Sequence, residues 1–250
     1  MLNNVTAVLL GLASIAAAQY GPNGQYGPGS SGGNPFAGSG GDGSSGFSGS
    51  GFGNFDLDGF MRQGEKRLIA HGVLASLAFV IFFPMGSILI RLGSFRGLWI
   101  VHGLFQIFAY IVYIAAFGLG IYIVRSIPVD MLGHHHPIIG IVVFCLLFFQ
   151  PILGFLHHYA YRKYERRTVW SYGHLWLGRI VITLGIINGG LGMLLATDTG
   201  FYAPSTGQKI AYGVVAGVMW LAWVLSSVIG ERRRARAHRS VESRAKGQYA

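Results

Sequence analysis

The sequence predicts an all-α membrane protein, and three observations carry that reading. The 250-residue chain is 52% hydrophobic and only 11% charged, with a mean hydropathy of +0.47. A soluble domain carries about 25% charged residues. Five apolar runs, 68–90, 97–124, 137–156, 175–196 and 210–230, each reach the roughly 20 residues that a helix needs to cross a bilayer. The breaks between them are "RLGSFR", "RSIPVDMLGHHH", "HHYAYRKYERRTVWSYG" and "TDTGFYAPSTGQK".

Two segments precede the first run. "MLNNVTAVLLGLASIAAAQ" holds an apolar stretch too short to span, closed by small residues before Gln19. It is expected to be a signal peptide over residues 1–18, with an uncleaved anchor as the alternative. Residues 19–65 are dominated by Gly, Ser and Pro in their first part and repeat "QYGP". Such a segment buries too little apolar surface to offset its ordering entropy and is expected to be disordered and extracytoplasmic. Its glycines follow no strand and open no helix, so they do not form a phosphate loop.

The net charge of +10 does not indicate nucleic acid, because the basic residues lie in loops and tail. Their distribution sets orientation. With the N-terminus outside, the inner segments hold Arg91, Arg96, Arg162, Lys163, Arg166, Arg167 and the basic tail 231–250. The outer segments hold only Arg62, Lys66, Arg67, Arg125 and Lys209. The lone Cys145 forms no intrachain disulfide and leaves the redox compartment unread.

Four of the runs open on a histidine: His71, His102, His136 and His174. Consecutive spans are antiparallel, so His71 and His136 fall toward the outer face, His102 and His174 toward the inner. Ionisable groups inside a membrane are costly and mark function. Two imidazoles on opposed helices can fill both axial positions of a heme iron, and helix bundles hold cofactors between their helices. Glycines at Gly140 and Gly178, one turn after His136 and His174, are expected to leave room beside those imidazoles. The pattern therefore predicts two hemes at two depths in a four-helix core, with a fifth helix beside it. Single interfacial or interhelical histidines are the plain alternative, but one per helix, paired by depth, fits ligation better.

Within the triplet "HHHP", His136 is the preferred ligand and His135 the reserve, since Pro137 suits a helix start. His157 and His158 sit about 30 Å down the same run, too far for the outer heme. They are expected at the interface, with contact to the inner heme or its donor as the alternative. Arg179, five residues after His174, reads either as snorkelling to headgroups or as a partner for an inner heme propionate. Gln106, Gln150 and Asn188 are expected to bond between helices, and "NGGLG" to pack closely.

The stretches "AHGVLASLAFVIFFPMGSILIR", "VHGLFQIFAYIVYIAAFGLG", "HPIIGIVVFCLLFFQPILGFLHH" and "GHLWLGRIVITLGIINGGLG" resemble the cytochrome b561 family, especially its fungal members. The resemblance covers residues 66–230, about two thirds of the chain. It implies two b hemes, with the first and third core histidines on one and the second and fourth on the other. It also implies a cytosolic ascorbate donor and an acceptor such as monodehydroascorbate or a ferric chelate across the membrane. Ascorbate-using members carry an "ALLVYR"-like stretch where this chain reads "GSILIR", ending at Arg91, which is thereby the candidate donor-binding residue. Their "SLHSW" stretch is "HHHPI" here. Where some relatives attach a DOMON domain, this chain has its Gly/Ser-rich segment.

The expected function is transmembrane electron transfer, an oxidoreductase activity if the acceptor is a small molecule. The expected partners are the lipid bilayer, a small anionic donor and an extracellular redox partner, with no nucleic acid. The expected location is a membrane of the secretory pathway. A histidine-based metal transporter is the first rival. It would need carboxylates or thiols along a pore, and the spans hold almost none. A non-catalytic scaffold or sensor working through the Gly-rich arm is the second.

Overall fold

The computed structural model describes residues 57–126, 131–200 and 202–247. The expected signal peptide and the Gly/Ser-rich repeats lie outside the described residues. Within them the fold is all-α, and five helices are long and apolar enough to cross a membrane. The first, α1, runs through three continuous segments: Leu57–Ser76, a π-helical turn at Leu77–Phe82, and Phe83–Leu92. It is followed by α2 (Leu98–Ser126), α3 (His135–Tyr164), α4 (Val169–Thr199) and α5 (Thr206–Gly247).

Two boundaries differ from the sequence reading. Residues 57–65, placed with the Gly/Ser-rich segment, already belong to α1. The basic residues after Gly230 continue α5 as helix to Gly247. In both places charged side chains masked a helix that apolar runs alone do not reveal, because a helix outside the bilayer needs no apolar side chains. The joints have local causes. The left-handed Glu165 (φ 53°) closes α3, and at the start of α4 the Thr168 N–H donates to Ser171 Oγ (3.2 Å). Gly200 at φ 70° ends α4, a conformation glycine adopts without steric cost.

Side chains sort by surroundings. Leu104, Phe155, Val218 and Leu225 are each at least 60% exposed, a surface that only lipid tolerates. Ala78, Phe79, Phe83, Ala109, Tyr113, Ala116, Val143, Leu147, Val181 and Trp223 form the core. Lipid tails are as apolar as leucine, so close packing and interhelical hydrogen bonds hold such a bundle, at about 0.6 kcal/mol per bond on average. Gly185 of α4 leaves no room for a Cβ because the Phe79 ring of α1 lies on it. The Trp223 indole donates to Ser87 Oγ (3.0 Å), the Trp220 indole to Thr183 Oγ1 (3.3 Å), and the Tyr113 hydroxyl to the Gly140 carbonyl (3.1 Å). The two indole bonds place α5 against α1 and α4, beside the four helices that carry the histidines, and the Tyr113 bond ties α2 to α3.

Candidate functional site

The fold brings the four histidines together as two pairs. His71 of α1 meets His136 of α3 with ring centres 5.9 Å apart and planes at 87°. His102 of α2 meets His174 of α4 at 6.5 Å and 90°. The pairs lie at opposite ends of the bundle. The residue facing His71 on α2, Ala116, is fourteen positions from His102, about 21 Å along the axis.

The hydrogen bonds fix each ring. His71 Nδ1 donates to the Ala116 carbonyl (2.7 Å), His102 Nδ1 to the Gly86 carbonyl (2.8 Å), and His136 Nδ1 to the Asn188 carbonyl (2.9 Å). A carbonyl only accepts, so Nδ1 carries the proton and Nε2 keeps its lone pair. His174 Nδ1 is buried opposite the Gln150 carbonyl without a well-formed hydrogen bond. The arrangement is reciprocal. Helices α1 and α2 each supply the carbonyl for the other's histidine, while each histidine pair spans one helix of α1–α2 and one of α3–α4.

Glycine makes this approach possible, on the partner helix rather than the histidine's own. A Cβ on Gly120 would lie 2.9 Å from His71, one on Gly192 2.8 Å from His136, and one on Gly154 3.2 Å from His174. Each of these glycines is one turn beyond the facing residue: Ala116, Asn188 or Gln150. Gly140 and Gly178, expected to clear space beside their own histidines, instead face the amides of Asn188 and Gln150 (3.5 and 3.6 Å). At these two positions the histidine-bearing face meets the neighbouring helix. Of the three polar residues, Gln106 and Gln150 bond between helices as read, while Asn188 Oδ1 is buried without a hydrogen-bond partner. The Gln106 amide donates to the Phe83 carbonyl (3.2 Å) and the Gln150 amide to the His174 carbonyl (3.3 Å). In "NGGLG", Gly189 meets the Tyr212 hydroxyl and Gly192 meets His136.

The donor set fits a heme iron. A ligating imidazole nitrogen sits about 2.0–2.1 Å from a first-row metal, so two imidazoles on one ion have ring centres about 6 Å apart. Both observed separations match. The second nitrogen of three of the four rings is already held by a carbonyl, as ligating histidines require. Among the described residues no group of three or more His, Cys, Asp or Glu side chains could hold a metal ion by itself. Each pair would thus offer two imidazole nitrogens to an iron held between them. His135 is exposed and does not enter the pair.

At the His102/His174 end lie two features that the sequence reading understated. His157 is not merely interfacial. Its ring lies parallel to that of His174 (6.1 Å, 9°), and its Nδ1 is hydrogen-bonded to Ser171 Oγ at 2.7 Å. His158 stacks on Trp99 at 3.9 Å. Three arginines converge on one carboxylate. Glu231 of α5 takes a bidentate contact from Arg167 (2.8 and 2.9 Å), one from Arg179 (3.3 Å), and an ion pair with Arg91 at 3.9 Å. The Arg91 side chain is only 11% exposed, with Gly230 against it. Arg179 also lies over the Trp176 ring (4.8 Å). Arg91 and Arg179 therefore have a carboxylate partner that apolar periodicity could not disclose, since Glu231 is 140 residues from Arg91 in sequence.

Comparison with known proteins finds two relatives of one kind. The chain is 33% identical over 160 residues to a cytochrome b561 and DOMON domain-containing protein of Arabidopsis thaliana, a match covering 63% of this chain and 38% of the relative. It is 31% identical over 126 residues to a cytochrome b561 domain-containing protein of the same plant, covering 47% of each. The chain spans less than half the length of these curated relatives. No family model matches it, and no solved structure matches it significantly. Over its helical membrane core the chain is thus similar to proteins named for the cytochrome b561 domain, which supports a place in that family.

Proposed function

We propose that this protein carries single electrons across a membrane through two b hemes, one held by His71 and His136, the other by His102 and His174. The observation that carries the reading is the pairing itself: two imidazole pairs at ligating separation, about 21 Å apart in depth. Heme b held between two imidazoles supplies a one-electron couple with no open position for oxygen. The protein's part is to orient and to exclude. The carbonyls of Ala116, Gly86 and Asn188 hold the rings and raise their basicity. Core residues such as Phe79, Tyr113 and Val143 keep water out between the pairs.

The Lys/Arg distribution supports an orientation with α1 starting outside and α5 ending in the cytosol. The Arg91–Arg167–Arg179 group then faces the cytosol beside the His102/His174 heme. Its excess of positive charge suits a small anionic donor, with ascorbate the best candidate. Because Glu231 occupies these arginines, the donor reaches Arg91 by exchanging with that carboxylate. Arg179 serves the same group, or an inner heme propionate. The acceptor outside is monodehydroascorbate, a ferric chelate or an extracellular redox partner. In this reading residues 1–18 are a signal peptide or an uncleaved anchor, the Gly/Ser-rich segment after them is an extracytoplasmic arm, and the protein resides in the secretory pathway.

The test uses purified protein in vesicles with a trapped ferric chelate and ascorbate added on the α5-tail side. Heme-dependent reduction of the trapped chelate is the expected result. Reduction equal to that of protein-free vesicles would refute the function.

A further inference from the structure

Helices α2, α3 and α4 follow one spacing rule. Fourteen residues separate His102 from Ala116, His136 from Gln150, and His174 from Asn188. Fourteen α-helical residues make nearly four turns, so the two positions share a face at two depths. One position gives a histidine to its own pair. The other faces the opposite pair, with its carbonyl toward the histidine of the adjacent helix.

Helix α1 departs from the rule by one. Its facing residue is Gly86, whose carbonyl accepts from His102, and Gly86 stands fifteen residues after His71. In an unbroken α-helix the fifteenth residue points about 100° away from the fourteenth. Between His71 and Gly86 lies the π-helical turn Leu77–Phe82. A π-bulge takes up additional backbone inside an otherwise α-helical ladder, often at functional sites.

The turn also explains a packing feature. Ala78, Phe79, Val80 and Ile81 are buried consecutively, more positions than one face of an α-helix provides. Phe79 lies on Gly185 of α4 and edge-on to Tyr113 of α2 (4.7 Å, 81°). That places the ring in the core between the two histidine pairs.

We infer that the π turn of α1 is a one-residue insertion: it seats Phe79 against Gly185 while keeping the Gly86 carbonyl in register as the positioning group for His102. This deepens the heme reading and rests on it. The consequence runs against the usual effect of a deletion. Removing one residue from the turn lets α1 become a regular helix, with Gly86 at the fourteen-residue spacing of the other three helices. Adding one residue there leaves nothing to absorb it.

The experiment compares four full-length variants by heme content and by the low-temperature EPR and visible signals of each heme. The signals are assigned beforehand with His102→Ala and His71→Ala. Deletion of Val80, or separately of Ile81, is expected to keep two hemes and an unchanged His102/His174 signal. Insertion of one alanine after Val80 is expected to shift or abolish that signal and spare the other. Deletion of Ile111, in α2 where no π turn exists, is expected to cost at least one heme. Loss of the His102/His174 signal in both turn deletions overturns the inference, as does failure of both to accumulate beside a normally accumulating insertion variant. A parent protein without heme fails the heme reading itself. A parent with two hemes and the wrong order among the variants fails this inference alone.

Discussion

Replacing Gly192 with alanine adds one methyl group 2.8 Å from His136 Cε1, 3.0 Å from Nδ1 and 3.2 Å from Nε2. Real Cβ atoms do not sit that close, so the ring must move by about half an ångström or more. It is held on one side by the Asn188 carbonyl and on the other by the iron it ligates in this account. Overpacking of this kind costs about 1–3 kcal/mol. At 1.4 kcal/mol per tenfold, that weakens the His71/His136 heme by roughly 5- to 150-fold. The helix itself gains, because alanine is favoured over glycine by about 0.8–1.0 kcal/mol in a helix interior. Heme loss with an intact or stabilised fold is thus the signature. Gly118→Ala is the control, since nothing lies within 4 Å of its Cβ. Gly154→Ala, at 3.2 Å from His174, is expected to give a milder effect on the other heme. The assay is heme per protein after purification, with the spectrum of each heme. If Gly192→Ala retains both hemes with parental spectra, the reasoning about close approach is wrong.

Three further predictions follow from other parts of the molecule. His71→Ala or His136→Ala should remove one heme, and His102→Ala or His174→Ala the other, while His135→Ala keeps both. Spectra of the purified variants decide it, and a shared component lost from His71→Ala and His102→Ala would contradict the pairing. Glu231→Gln removes the carboxylate that the three arginines share. It should raise the apparent affinity for ascorbate several-fold and steepen the salt dependence of heme reduction, whereas Arg91→Ala should slow that reduction. Stopped-flow traces in oriented vesicles measure both, and slower ascorbate reduction in Glu231→Gln would show that the carboxylate aids the donor. A protease added to intact cells should clip a tag after Gly43 and spare one after Ala250, and the reverse result would invert the proposed orientation.

Much of this was legible in the sequence, for physical reasons. A bilayer demands some twenty apolar residues per helix, so the five spans announce themselves. Alternating direction then assigns His71 with His136 and His102 with His174 without coordinates, and the structure brings those rings together. What the sequence hid were contacts set by how helices rotate against each other. Gly120, Gly154 and Gly192 look like ordinary small residues until their faces are known. Gly86 is offset by one from the fourteen-residue spacing, and only the π turn explains the offset. Glu231 reads as part of a charged tail, yet its carboxylate joins the ends of α1, α4 and α5.

The central claim is that each histidine pair holds one iron between two imidazoles. Its most direct test is the EPR spectrum of the oxidised, purified protein, with a parallel exposure of the reduced protein to carbon monoxide. Near-perpendicular ring planes, 87° and 90°, predict two strongly anisotropic low-spin ferric signals. Filled axial positions predict no carbon monoxide complex at neutral pH. A single heme per chain, a high-spin signal, or ready carbon monoxide binding would contradict the account.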